Sequence, residues 1–205
     1  MQEIITTASL LALISTITPG PLMALIIGET LKHGKVNGIL IGMAPLITDL
    51  PIMLASVFIL SKLQNLDLLL GLISLCGAGY LAYLAYGNIT VKNIHLETTV
   101  GSKSLTKGII TNFLNPNPYI FYFSILAPIA IKGMKVNFLY GPLSVSIFLG
   151  VFVIGNTTVA LSVHSIKGFL HSKTYLYVIR ALGFILLFFS ITFFREGLKF
   201  FQIVK

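Results

Sequence analysis

The chain has 205 residues, of which 56% are hydrophobic and only 10% are charged, and its mean hydropathy is +0.94. Soluble domains carry about 25% charged residues, so this composition excludes a soluble enzyme, a disordered chain and a disulfide-stapled secreted module. The net charge of +8 would suggest a nucleic-acid partner in a soluble protein, but the lysines lie between apolar runs, where they orient a membrane protein. We therefore predict a multi-pass protein of the cell membrane, with the lipid bilayer as its partner and no nucleic acid bound.

Six apolar segments follow one another along the chain, and each is long enough to supply the ~20 residues that cross a hydrocarbon core. They cover residues 4–28, 36–61, 68–91, 108–131, 136–166 and 174–194. We predict an all-α membrane protein with six transmembrane helices. Because no basic segment or cleavage site precedes the first helix, we expect it to be a span and not a signal peptide. The short loops leave no room for a soluble catalytic domain, so no enzymatic activity is predicted.

The first predicted helix is interrupted by the motif Thr18-Pro19-Gly20-Pro21. Each proline lacks a backbone donor and clashes with the preceding turn, so the helix should break there. Non-helical backbone survives in a membrane only where it faces protein or a wet cavity, and the half-helix after Pro21 would present free N–H groups to a carboxylate. These residues are candidates for substrate binding; a kink used only for packing is the alternative.

Asp49 lies near the middle of the second predicted helix. A carboxylate near the bilayer midplane is costly and usually marks an ion, proton or substrate path. No lysine or arginine of the sequence lies at a comparable depth, so we predict that Asp49 couples transport to an ion gradient, as a proton carrier or a sodium ligand. A protonated structural aspartate bonded across helices is the alternative. Glu29, at the end of the first helix, is expected at the membrane interface.

The fourth predicted helix carries a second break, which ends at Pro118. Matched interruptions in the two halves of a transporter are the best sequence indication of a substrate site between them. Polar residues of the fifth helix, Asn156 among them, are expected to bridge neighbouring helices. The second break and the turn before it complete the candidate substrate-binding residues with Asn112, Asn115, Pro116 and Asn117.

The prolines also form a repeat along the chain. Pro19, Pro21 and Pro45 recur 97 residues later as Pro116, Pro118 and Pro142. This offset divides the chain into a three-helix repeat over residues 1–91, a connecting loop over 92–107 and a second three-helix repeat over 108–205. An odd number of helices in each half makes the second half enter from the opposite side, so we predict two inverted repeats. Chance recurrence in a repetitive composition is the alternative.

Lysines in the short loops are distributed unequally between the two sides of the membrane. Seven lie on the side that includes Lys32 and Lys35, and three lie on the other side. The positive-inside rule therefore favours a topology with both termini outside. Three basic residues in the C-terminal tail reduce the difference.

Taken together, these motifs resemble the LysE/RhtB family of amino-acid exporters. Many members of that family carry a lysine where this chain has Asn117, so the resemblance defines the fold better than the substrate. It implies export of an amino acid or similar small metabolite from the cytoplasm, driven by an ion gradient. The residues that carry the resemblance are Thr18-Pro19-Gly20-Pro21, the pattern KHGKxxGxxxG from Lys32 to Gly42, Asp49, Gly79-Tyr80-Leu81 with Gly87, and NFLNPNPYIF at 112–121.

Other functions fit the sequence less well. A membrane thiol-redox conduit needs two intramembrane cysteines, and Cys76 is the only cysteine. A divalent-metal exporter and a non-transporting membrane scaffold stay open as alternatives, although the four histidines lack the spacing of metal ligands. We predict no cofactor and no metal site, and the sequence leaves a homo-oligomer open.

Overall fold

The structure, a computed structural model, describes residues 2–62, 66–91, 102–167 and 172–203. Within these ranges the protein is helical and contains no strand. Five helical stretches are long and apolar enough to cross a membrane, and a sixth span results if α1 and α2 count as one bent helix. This confirms the prediction of an all-α membrane protein of about six helices. The helices are α1 Gln2–Ile17, α2 Pro21–His33, α3 Lys35–Gly42, α4 Ala44–Lys62, α5 Leu66–Ile89, α6 Ser102–Phe113, α7 Pro116–Phe121, a π turn Tyr122–Leu126, α8 Ala127–Val136, α9 Tyr140–Lys167 and α10 Ser172–Phe200.

The first predicted span is broken at its proline motif. α1 ends at Ile17, α2 begins at Pro21, and the two helices are bent by 60°. Pro21 occupies the first turn of α2, where a missing N–H is tolerated because that position has no intrahelical acceptor. The motif therefore divides the span into two half-helices, as predicted.

The fourth predicted span is broken as well. α6 ends at Phe113, α7 begins at Pro116, and the chain then runs through the π turn into α8. α6 begins at Ser102, so the last part of the predicted connecting loop 92–107 is helical; residues 92–101 of that loop lie outside the described residues. Lys103 and Lys107 in the first turns of α6 interrupt the apolar run. Because lysine is a good helix former, the helix nevertheless begins before the apolar segment.

Helices of one predicted half pack against helices of the other half. α5 and α10 share the most extensive contact, α1 lies on α9, and α6 lies on α3 and α4. A two-fold relation between the halves would produce this pairing, because α1 would correspond to α6, and α3 with α4 to α9. The inverted repeat stays a prediction that this pattern supports.

Gly77 of α5 lies against the second break. A Cβ atom at this position would be 2.1 Å from the carbonyl oxygen of Leu114, so only glycine lets α5 approach the non-helical backbone so closely. Gly79 on the same helix has open space around it, since a Cβ atom there would meet nothing within 4 Å. α5 thereby encloses the second break inside the protein, where exposed backbone is tolerated in a membrane.

Candidate functional site

A cavity of about 420 Å³ lies between the two breaks. Pro116, one of the residues predicted to bind substrate, is buried at the start of α7. Residues almost one hundred positions apart meet at one site because the two broken spans come together. The cavity lining includes the other predicted site residues, Thr18, Pro19, Gly20, Pro21, Asp49, Asn112, Asn115 and Asn117.

The start of α2 offers backbone donors to the cavity. Gly20 is the N-cap residue, has an extended backbone and provides no side chain to cap the helix. Because Pro21 has no N–H, the first-turn donors that lack an intrahelical acceptor are the amides of Leu22 and Met23, and both residues line the cavity. Together with the partial positive charge of a helix start, these donors favour an anionic group.

The start of α7 is capped by its own sequence. Asn115 Oδ1 accepts a hydrogen bond of 3.0 Å from the backbone N–H of Asn117. This bond satisfies one of the free donors at the helix start, as N-cap asparagines commonly do. The two breaks are therefore similar in sequence and different in chemistry: the first is open to an anion, and the second is capped by its own side chain.

Asp49 lies on α4 beside the cavity and is only 3% exposed. Tyr122 donates its hydroxyl to Asp49 Oδ2 at 2.5 Å, and Asn112 Nδ2 donates to Asp49 Oδ1 at 2.5 Å. Thr48 donates to the same Oδ1 at 3.2 Å and accepts a bond of 2.6 Å from Asn112. The hydrogen-bond partners that the structure describes for this carboxylate are therefore neutral.

These contacts refine the roles predicted from the sequence. The amide nitrogen of Asn112, a predicted substrate-binding group, bonds to Asp49 and Thr48, so this residue positions the carboxylate. Tyr122 was not predicted, because it lies 73 positions from Asp49 and no spacing pattern links the two. Thr48 directly precedes Asp49 and carries no signal beyond that adjacency.

One side of the cavity is an aromatic wall formed by Phe121, Phe148 and Phe152. The ring centroids of Phe121 and Phe148 are 5.2 Å apart and those of Phe148 and Phe152 are 5.8 Å apart, both pairs stacked. Tyr122 contacts Phe148 edge to face at 6.0 Å. This wall was not predicted from the sequence, because single phenylalanines in apolar helices look like ordinary packing residues.

A second polar cluster lies toward the far end of α2. Glu29 is 5% exposed, and its Oε1 forms an ion pair of 2.7 Å with Lys107 of α6. Ser104 Oγ lies 3.3 Å from the other carboxylate oxygen and donates to Asn37 at 2.9 Å, and His33 Nε2 lies 3.8 Å from that same oxygen. The sequence predicted an interfacial Glu29, which stays a prediction; the structure adds that Glu29 is buried between α2 and α6, where a lysine 78 positions away offsets its charge.

The cavity and the second polar cluster lie at different positions along α2 and α6. The lining residues of α2 end at Met23, and α6 contributes only Asn112. From there the cavity extends along α9 toward its start, past Asn156, Phe152 and Phe148. The ion pair between α2 and α6 therefore lies outside the cavity, beyond the cavity-lining start of α2. Across the described ranges, no group of three or more His, Cys, Asp or Glu side chains is arranged to hold a metal ion.

A family model described as LysE type translocator matches residues 13–197. No curated protein and no solved structure matches the chain. The matched range contains both breaks, Asp49 and the residues of the second polar cluster.

Proposed function

Because the chain belongs to the LysE type translocator family, as its motifs predicted, we propose that it exports an amino acid or a similar small metabolite from the cytoplasm. The protein is a membrane transporter with five or six candidate spans among the described residues. We place it in the cell membrane, where an ion gradient drives it as an antiporter. A proton is the coupling ion that this proposal names first.

The observation that carries the proposal is the cavity between two broken spans. Helix breaks inside a membrane need a protein or aqueous environment, and here both breaks border the same cavity. The uncapped start of α2 supplies donors for a carboxylate, and Asp49 supplies a carboxylate for a cation. A small zwitterion is the class of molecule that uses both, which supports transport of an amino acid.

Asp49 is the residue to which the proposal assigns ion coupling. A proton arriving from the outside neutralises the carboxylate and eases its passage through an occluded state, since a neutral group is less costly in the membrane. Loss of that proton to the cytoplasm restores a charge that attracts a substrate ammonium. Tyr122 and Asn112 keep the carboxylate in place throughout, because each bonds to a different oxygen.

Counterflow in proteoliposomes tests the proposal against the scaffold alternative. Vesicles loaded with an unlabelled amino acid are diluted into a trace of the labelled one, and a carrier accumulates label transiently whereas a scaffold does not. Protein-free vesicles from the same lipid are the control. Absence of counterflow for every member of a complete panel of amino acids and related small metabolites would reject the proposed function.

A further inference from the structure

We propose that the cavity selects neutral amino acids with a bulky apolar side chain, and that Asn156 receives their α-carboxylate. This inference rests on the proposed transport function and assigns a substrate class to the same cavity. Three features of the lining support it: an unpartnered buried amide, an uncapped helix start and the aromatic wall.

Asn156 is a buried polar residue at the edge of the cavity. The residue is 3% exposed, and its Nδ2 has no hydrogen-bond partner among the residues that the structure describes. Buried polar side chains are almost always hydrogen-bonded in native proteins, so an unpaired donor at a cavity points to an acceptor supplied by a ligand. A Cβ atom on Gly42 would lie 3.0 Å from the Cβ of Asn156, so α3 packs tightly behind this residue and fixes its position.

The start of α2 faces the same part of the cavity. Leu22 belongs to the apolar cluster against which Phe152 packs, and Phe152 precedes Asn156 by one turn of α9. Leu22 and Met23, whose amides are the free donors, therefore line the same cavity as Asn156. A carboxylate accepts several hydrogen bonds at once, and backbone donors at a helix start together with a side-chain amide suit that requirement.

The charges of the lining restrict the rest of the substrate. Asp49 is the only acidic residue among the lining residues described, and no lysine, arginine or histidine is among them. The α-ammonium of an amino acid uses Asp49, so a second cationic group finds no further carboxylate and an acidic side chain finds no cation. Burying an unpaired charge is strongly unfavourable, which favours an uncharged side chain.

The aromatic wall gives that side chain its apolar surroundings. Phe121, Phe148 and Phe152 line the cavity and stack on one another, and removing apolar side-chain area of the substrate from water there stabilises the complex in proportion to the area. The cavity volume of about 420 Å³ is near the lower end of the ~300–1,000 Å³ common for ligand pockets. It suits one bulky amino acid.

Binding to the purified full-length protein tests the substrate class. L-Leucine, L-phenylalanine, glycine, L-lysine and L-glutamate are titrated by isothermal calorimetry in detergent, and the same five are run in counterflow. We expect leucine and phenylalanine to bind at least about tenfold more tightly than the other three. Equal binding of glycine, lysine or glutamate overturns the substrate class and leaves the transport function standing. Failure of leucine and phenylalanine to bind or exchange also overturns the substrate class, whereas counterflow across the full panel decides the transport function.

Asn156→Leu tests the carboxylate contact, because it removes the donor and keeps the side-chain size. We expect leucine affinity to fall about 10- to 100-fold, whereas leucinol, which lacks the carboxylate, binds the variant and the wild type alike. Thr158→Val, at an exposed position of the same helix, is the control and leaves both affinities unchanged. Wild-type leucine affinity in Asn156→Leu, or an equal loss for leucinol, overturns the assignment.

A second variant keeps the test informative if Asn156→Leu does not fold. Phe152→Ala leaves the amide in place and shortens the aromatic wall, so it should reduce the preference for phenylalanine over glycine about tenfold. Phe188→Ala, at a position of α10 that is 65% exposed, is its matched control. An unchanged preference in Phe152→Ala overturns the role of the wall.

Discussion

The carboxylate of Asp49 is surrounded by neutral donors from three different helical segments. Thr48 is its neighbour on α4, Asn112 comes from α6 and Tyr122 from the π turn. A buried carboxylate paired with a lysine could not gain a proton without leaving a buried cation unpaired, which is costly. Neutral donors avoid that cost, so this network suits a group that is charged in one transport state and neutral in another.

Asp49→Asn removes the titratable group and preserves the shape of the side chain. We expect the variant to insert and to retain slow exchange, but to lose export driven by an imposed pH or sodium gradient in proteoliposomes. Asp67→Asn, which alters an exposed aspartate at the start of α5, is the matched control and should export normally. Normal gradient-driven export by inserted Asp49→Asn protein would place coupling elsewhere, with Glu29 the next residue to examine.

Tyr122→Phe removes one donor to Asp49 and keeps the aromatic ring in its packing position. A hydrogen bond to a charged group contributes about 1.5–3 kcal/mol, so gradient-driven transport should fall about tenfold or more. Tyr177→Phe, at a position 69% exposed on α10, removes a hydroxyl far from the cavity. If initial rates of gradient-driven uptake are the same for both variants, the Tyr122 hydroxyl has no part in coupling.

At the scale of single residues, the sequence predicted the polar and charged side chains that are rare inside a membrane. Asp49 stands out because a carboxylate near the bilayer midplane is costly, whichever residues form hydrogen bonds to it. Its partners could not be predicted, since Asn112 and Tyr122 lie 63 and 73 positions away. The same reason applies to Asn156, which was expected to bridge helices and has an unpaired side-chain nitrogen at the cavity.

Among the helices, the two breaks were predictable and their capping was not. Two prolines two residues apart each lack an N–H and clash with the preceding turn, so Pro21 and Pro116 mark helix starts, whereas the isolated Pro51 lies within α4. Whether a helix start is capped depends on its N-cap residue. This residue is a glycine without a side chain in the first break and an asparagine in the second. That difference gives two similar motifs unequal capacity to bind an anion.

Gly77→Ala tests whether α5 supports the second break. The added Cβ atom would be 2.1 Å from a backbone carbonyl oxygen, so α5 and the break must move apart. Overpacking of this kind costs about 1–3 kcal/mol, and we expect a lower unfolding temperature in detergent together with slower counterflow. Gly79→Ala is the matched control, because its Cβ atom would enter open space. Equal stability of the two variants would contradict the support role of Gly77.

Across the whole molecule, long-range contacts join the two predicted halves at several levels. α5 packs along α10, α1 crosses α9, and the ion pair of Glu29 with Lys107 links α2 to α6. The apolar runs and the prolines were enough to predict the spans, because the bilayer imposes their length. The ion pair was not predictable, because each of its residues alone looks like a charged residue at a membrane boundary.

The predicted topology places the two ends of the second half on opposite sides of the membrane. Reporter fusions after Lys103 and at Lys205 should therefore report opposite sides, with the first in the cytoplasm. This follows from the number of spans and from the seven lysines against three in the short loops. The same side for both fusions would contradict the six-span organisation.

Alternating access requires the ion pair of Glu29 and Lys107 to separate when the cavity opens toward the cytoplasm. Ser15 lines the cavity, so a Ser15→Cys protein in a Cys76→Ser background reports which side reaches it. A membrane-impermeant maleimide should label it from the outside, and Glu29→Gln or Lys107→Gln should each raise labelling from the cytoplasmic side severalfold, because breaking a partly buried ion pair weakens the closed state. Lys103→Gln changes an exposed lysine one turn earlier on α6 and should have no effect. Unchanged cytoplasmic labelling in both ion-pair variants would show that another contact holds this side closed.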